Sequence, residues 1–238
     1  MIRLIAALLL LVALPLSARN VPEPRSVSIA VDVDAKGRVS SAEVRDKLPE
    51  ATVQRLIERV RQFEFTPARR DGQAVASSTT LWLDFAFEEL DREHLAIRIR
   101  DAYTGPGYAN KNVPFDFPES AIRKRHDGDV WLRLTYDAAG RVTKADVLAT
   151  RGDPVYGPTA AATASQWTLV PERVGGEPVA GVVEVPVYFR ISAGRGLRSL
   201  PRERWVKPVD GTLPPESGRE LVADSVVTLR TAVTGSLL

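Results

Sequence analysis

Catalysis or metal binding needs histidine, cysteine or paired carboxylates at working distance, and this 238-residue chain offers few of them. It has two histidines, His94 and His126, and no cysteine. Neither histidine has a partner at ligand spacing, and their charged neighbours (Arg92 and Glu93, Lys124, Arg125 and Asp127) mark solvated loop positions. Asp32 with Asp34, and Asp127 with Asp129, are close carboxylate pairs. An acid–base pair would need one of the two raised in a cleft. The turn reading is simpler, because Asp34 and Asp137 each stand three residues before a glycine, where a carboxylate bonds the backbone of its own turn. Gly105-Pro106-Gly107 lacks the Lys-Ser/Thr of a phosphate loop and is expected to be a linker. No Gly-x-Ser-x-Gly elbow occurs, and Ser120 and Ser165 fall in helical stretches as small residues. Arg69-Arg70 and Arg123-Lys124-Arg125 read as solvated basic faces; attraction to peptidoglycan or lipid headgroups is the sharper alternative. Trp167 is expected in the core. The residues therefore predict no catalytic set, no cofactor, no metal, no evident small-molecule substrate and no enzyme.

The chain does carry a repeat. Val33-Asp34-Ala35-Lys36-Gly37-Arg38-Val39 returns as Tyr136-Asp137-Ala138-Ala139-Gly140-Arg141-Val142. Each is followed by a helix-like stretch and a matching closer, Phe63-Glu64-Phe65-Thr66-Pro67 and Trp167-Thr168-Leu169-Val170-Pro171. A period this long fits a duplicated small domain rather than a solenoid.

Alternation and turn residues predict a hairpin from residue 26 to 45, an amphipathic helix over 49–62 with Val53, Leu56, Ile57 and Val60 on one face, and a closing strand over 79–87. The second unit opens with an added helix at 117–124, where Pro118 suits the first turn. A hairpin over 129–148, an alanine-rich helix near 155–165 and a strand over 182–191 follow. The expected layout is a leader at 1–18, a first unit at 19–88, a linker at 89–112, a second unit at 113–192 and a tail at 193–238, in which residues 220–233 either add a strand or stay loose. The order of elements makes the fold class α+β, in two small domains.

Bulk properties fit an exported globular protein. The chain is 44% hydrophobic and 26% charged, with 32 basic residues interspersed among 30 acidic ones, so no stripe for nucleic acid stands out. Arg3 precedes an apolar run over residues 4–16, too short to span a bilayer core of about 30 Å, with Ser17 and Ala18 as a small-residue cleavage site. A cleaved leader and a periplasmic location are expected; the alternative is an uncleaved inner-membrane anchor.

The second unit carries an ordered set of motifs: Phe117-Pro118 with Ala121, Gly128-Asp129-Val130, the turn from Asp137 to Val142, Trp167 four positions before Pro171, glycine at 175–176, and an aliphatic strand ending in Phe189. This resembles the C-terminal domain of TonB, the energy-transducing protein of the Gram-negative envelope. The resemblance covers residues 113–192. The first unit matches from its hairpin onward, like a copy lacking the opening helix.

The resemblance implies that each domain is a three-stranded antiparallel sheet with one or two helices on one face, and that the protein binds a peptide segment of an outer-membrane transporter, or of another envelope protein, as an added strand. An edge strand has unpaired N–H and C=O groups that an extended peptide satisfies. The strands over 79–87 and 182–191 are expected at the edges, with Val183, Val185, Val187 and Phe189 marking the peptide-binding edge of the second unit. The two edges pairing with each other is a further arrangement. Between the apolar run and the first strand, only Pro22 and Pro24 stand in a stretch reaching about 25 Å, so the long proline-rich spacer of a full transducer has no counterpart. The implied role is a periplasmic binding module contributing to TonB-dependent transport. The alternative is an envelope assembly protein whose domains pair with each other or form a homodimer, with no transport role.

Overall fold

The computed structural model describes residues 25–89, 95–109, 117–124, 127–190 and 221–236. The expected leader, both histidines and the first part of the tail lie outside the described residues. The chain is strand-dominated α+β, built from antiparallel sheets and three helices among the described residues.

The first unit runs β1 (Arg25–Val33), β2 (Val39–Val44), α1 (Glu50–Val60), β3 (Phe65–Thr66), β4 (Arg69–Arg70), β5 (Gln73–Ala74) and β6 (Ser77–Glu89). Then come β7 (Leu95–Gly105) and β8 (Gly107–Tyr108). The second unit opens with α2 (Glu119–Lys124) and repeats the order: β9 (Gly128–Tyr136), β10 (Val142–Arg151), α3 (Tyr156–Ala164), β11 (Leu169–Val170), β12 (Arg173–Val174), β13 (Glu177–Pro178) and β14 (Gly181–Phe189). The tail adds β15 (Val222–Ala223) and β16 (Thr228–Leu229), so its last stretch forms short strands.

Both units are built on the same turn. Asp34 Oδ1 accepts the Lys36 and Arg38 N–H groups at 2.8 and 2.9 Å, and Asp137 Oδ1 accepts those of Ala139 and Arg141 at 2.9 and 3.0 Å. The Arg38 backbone N–H, with its guanidinium behind it, holds the Asp34 carboxyl below the usual carboxylate range, and Arg141 does the same for Asp137. Gly37 (φ +84°) and Gly140 (φ +81°) take the left-handed conformation that closes each turn. Their carbonyls accept the Phe65 and Leu169 N–H groups at 2.8 Å, which docks the chain leaving each helix onto its hairpin.

Alternation supplies the cores. Val27, Ile29, Val31 and Val33 of β1 meet Leu81, Leu83 and Phe85 of β6 beneath Leu56 and Val60 of α1. Leu132 and Leu134 of β9 meet Val183, Val185 and Val187 of β14 beneath Tyr156, Ala160 and Ala164 of α3. Each valine, leucine, isoleucine or phenylalanine among them contributes about 1.5–3 kcal/mol on burial.

Three expectations require correction. The segment expected as a linker contains β7, which pairs along β6 from Thr80↔Gly105 to Glu89↔Leu95. Gly105 and Gly107 serve close packing there: a Cβ on Gly105 would meet Leu221 at 3.0 Å, and one on Gly107 would meet Thr80 Oγ1 at 2.7 Å. Second, β6 is no edge. Arg173 and Val174 pair with Ser78 and Ser77, β7 takes the rest of that side, and β1 takes the other. Third, the sheets exceed three strands. One has six, ordered β13-β12-β6-β1-β2 with β7 also on β6, and one has four, ordered β10-β9-β14-β15. The closing strands β6 and β14 therefore do not pair with each other.

The units exchange arms. The arm after the first unit lines β6 with β7, then crosses to the second unit, where Tyr108 lies opposite Leu169 and Gly107 opposite Val170. The arm after the second unit touches β14 with β15, then crosses to the first, where Leu229 lies opposite Phe65 and Thr228 opposite Thr66. Leu169 and Phe65 are equivalent residues, each bonded to its turn glycine.

Candidate peptide-binding edge

Strand β14 is held by its inward face. Val183, Val185, Val187 and Phe189 are 1%, 0%, 3% and 1% exposed and sit in the second core. Phe189 stacks on Tyr156 at 4.2 Å and meets Phe117 edge-on at 5.3 Å. These four side chains seat the strand in the second core. The opposite face carries Val182 and Tyr188, 43% and 45% exposed, with Glu184 and Pro186 half-buried between them.

Backbone direction follows from Pro186. The β9–β14 ladder runs from Gly181↔Tyr136 to Phe189↔Gly128 without a register shift, straight through Pro186↔Trp131. Proline has no N–H, so an unbroken ladder tolerates it only where that group would face away from the partner. In an antiparallel strand, both backbone groups of a residue point to one side and the sides alternate. Residues 182, 184, 186 and 188 therefore turn their backbone groups outward. On that outer side β15 pairs with Val183 and Glu184 only. Among the described residues, no strand meets the outer edge from Val185 to Phe189.

Charged groups brace the strand at both ends. Glu184 accepts Trp131 Nε1 at 3.1 Å and Arg133 Nη2 at 2.7 Å. At the far end of β14, the Arg190 guanidinium lies 5.1 Å over the Tyr188 ring and forms an ion pair with Asp129 Oδ1 at 2.5 Å. Asp129 is buried in β9 and bonds Arg151 through its other oxygen. Sequence reading weighed Asp129 only against its neighbour Asp127; the two arginines that hold it come from β10 and from the end of β14.

A second buried carboxylate ties the arms together. Glu172 is 2% exposed and accepts Thr79 Oγ1 at 2.5 Å, Ser225 Oγ at 2.6 Å and the Val226 N–H at 3.0 Å. Burial pushes its pKa up, against the pull of those three donors. Burial also raises the Tyr136 hydroxyl, with Glu172 adding to the effect. Nothing in the local sequence around Glu172 marked it, because its partners lie in β6 and in the tail. An aromatic chain crosses the same junction: Tyr103 stacks on Trp82, Trp82 meets Tyr108 edge-on at 5.6 Å, and Tyr108 meets Trp167 at 5.8 Å. Trp167 is buried, as its position at the helix exit suggested.

The remaining candidates are structural where described. Asp32 accepts Ser78 Oγ at 2.6 Å. Arg69 donates to the Gly72 carbonyl and Arg70 to that of Val174, so this basic run braces two hairpins. Ser165 donates to the Ala161 carbonyl one helical turn back. Arg123 is exposed, 3.9 Å from Glu119. A groove of about 370 Å³ between β7 and the returning arm is lined by Tyr103, Thr104, Asp224, Ser225 and Thr228, and by no residue of β14. Among the described residues, no helix is long and apolar enough to cross a membrane.

Residues 113–191 match the family model described as Gram-negative bacterial TonB protein C-terminal. The match spans α2 through β14 and leaves the first unit outside it. It supports the TonB C-terminal family for this segment, a TonB-like module associated with the envelope and with transport. That family is not an enzyme family, and its domains interact with outer-membrane transporters in general. No curated protein and no solved structure matches the chain.

Proposed function

We propose that the chain is a periplasmic protein-binding module that takes an extended peptide segment of an envelope protein as an added strand on β14. An outer-membrane transporter is the partner class that the family match supports. The observation that carries the reading is the outer edge of β14, met by β15 at Val183 and Glu184 and by no other described strand. Extended peptides bind such edges through main-chain hydrogen bonds, so the site needs no cavity and no catalytic group.

The first unit is a second copy of the same architecture with its edge already filled. Its turn, helix exit and hairpins repeat those of the matched segment, and β7 lies where a peptide would lie. One chain then binds one peptide. The expected location follows from the leader at residues 1–18 and the envelope association of the family.

The test is a titration of isotope-labelled protein with synthetic peptides from the N-terminal segments of outer-membrane transporters. The expected outcome is saturable binding of one peptide per chain, with the largest amide shifts at Tyr188 and its β14 neighbours. Shifts confined to β2, β10 or the groove beside Tyr103 would remove the proposal. The assembly alternative draws on the arm exchange, which shows strand pairing used internally. It predicts instead a concentration-dependent dimer that no peptide disperses.

A further inference from the structure

We infer that Glu172 is a proton-operated latch on the returning arm: neutral, it holds the span from Ala223 to Val226 in place; ionised, it lets that span open, and with it the cover of β15 on Val183 and Glu184. Glu172 lies between β11 and β12 and is 2% exposed. Its Oε1 takes the hydroxyls of Thr79 in β6 and Ser225 in the arm at 2.5 and 2.6 Å, and its Oε2 takes the Val226 N–H at 3.0 Å. Among the described residues, no cation pairs with it. From β9 it faces Tyr136, whose hydroxyl stays protonated beside it. Arg173 on its own segment and Asp224 on the arm are exposed, and Arg173 donates to the Gly176 carbonyl at 2.9 Å. Burial and the three neutral donors account for where the carboxyl titrates. An ionised Glu172 is thus a buried charge without a counter-charge.

The hydrogen bonds accommodate both protonation states. A hydroxyl has one proton to donate, and each of these two has a second acceptor. Thr79 Oγ1 lies 3.3 Å from the Gly105 carbonyl, and Ser225 Oγ lies 2.5 Å from that of Val227. With Glu172 ionised, both hydroxyls turn to Oε1. With Glu172 neutral, the proton on Oε1 is donated to Ser225 Oγ, Ser225 donates to the Val227 carbonyl, and the Val226 N–H stays on Oε2. The neutral form therefore orphans none of these groups and buries no charge. The ionised form gains by admitting water, and the arm is the side that yields. β6 is paired on both sides, whereas β15 holds β14 through two residue pairs. The opening is confined, because Leu221 is 1% exposed in the second core and Val227 is 0% exposed in the first. Between those pins β15 parts from Val183 and Glu184 while both cores stay closed. The latch operates whatever β14 binds.

The experiment uses the full chain with carboxyl-labelled glutamate, followed by NMR from pH 4 to 9. It reads the Glu172 carboxyl titration together with the exchange protection of the Val226 and β15 amides, corrected for the intrinsic rate at each pH. The carboxyl is expected to titrate above the ordinary range. Protection of the arm amides should fall about tenfold per pH unit from the ordinary carboxylate pKa upwards, and level off where Glu172 has titrated. The β9 amides should remain better protected than the arm throughout. Glu172→Gln cannot ionise and should abolish the fall. An ordinary carboxyl titration, arm protection that stays level through it, a fall that persists in Glu172→Gln, or arm amides that open only together with β9 would each overturn the latch. If Glu172→Gln does not fold, the match in the wild type between the carboxyl titration and the end of the fall decides the matter. None of these outcomes bears on whether a peptide adds to β14, which the peptide titration tests separately.

Discussion

A methyl group on Gly37 would strike the carbonyl oxygen of Phe65, and one on Gly140 that of Leu169. Both glycines also sit at positive φ, where a side chain is strained whatever the space. Gly37→Ala and Gly140→Ala should each cost more than about 2 kcal/mol, through strain plus the lost dock between hairpin and helix exit. Urea unfolding measures this; a cost under that limit at either glycine would show the turn to be slack. These residues were legible because a carboxylate–backbone turn is a local device, complete within five residues of chain. Asp129 was not legible as an ion centre. Its partners Arg151 and Arg190 reach it only once β9 has β10 and β14 on its two sides. The same limit explains the four valine and phenylalanine positions of β14. Alternation placed them on one strand, but which side of that strand meets solvent depends on where α3 lies.

At the scale of elements, the hairpins, helices and closing strands follow from period and turn chemistry, and β7 does not. Its alternation is interrupted at the register shift opposite Asp84 and Phe85, which leaves Arg100 outside the paired positions. The pattern therefore breaks midway, and the glycines at its end look like a linker. Glu172 shows how such elements are joined. Its folded pKa lies above the ordinary value of 4.5, so the folded state holds the proton more tightly than the unfolded state does. That contribution to stability is fully present below about pH 4.5 and is lost as pH rises through the folded pKa. Glu172→Gln removes the titration. The stability of the wild type relative to this variant should therefore fall as pH is raised from 4 towards 8, read by thermal unfolding in matched buffers. A difference that stays level across that range would show the carboxyl to be solvated.

At the scale of the whole molecule, the arms make each unit depend on chain that follows the other. Val227 and Val233 of the final arm are 0% and 3% exposed in the first core. Val227→Ala removes buried methyl groups and should cost about 2 kcal/mol. The lost protection should appear in β1 and α1, far away in sequence, and unfolding should remain a single transition for both units. Two separate transitions, with only the second unit affected, would contradict the exchange. The repeated turn and helix exit were legible in the sequence, but the crossing was not, because β8 and β16 are two-residue strands without a pattern of their own.

Synthesis runs from residue 1 onward, so the half made first waits for the residues made last. Until Val227 and Val233 emerge, the interior formed by β1, α1 and β6 has a gap that no earlier residue fills. A nascent chain in that condition holds an unfinished first core, whatever the second unit has already formed. Closure of that core then comes from the trailing end, when β16 reaches β3.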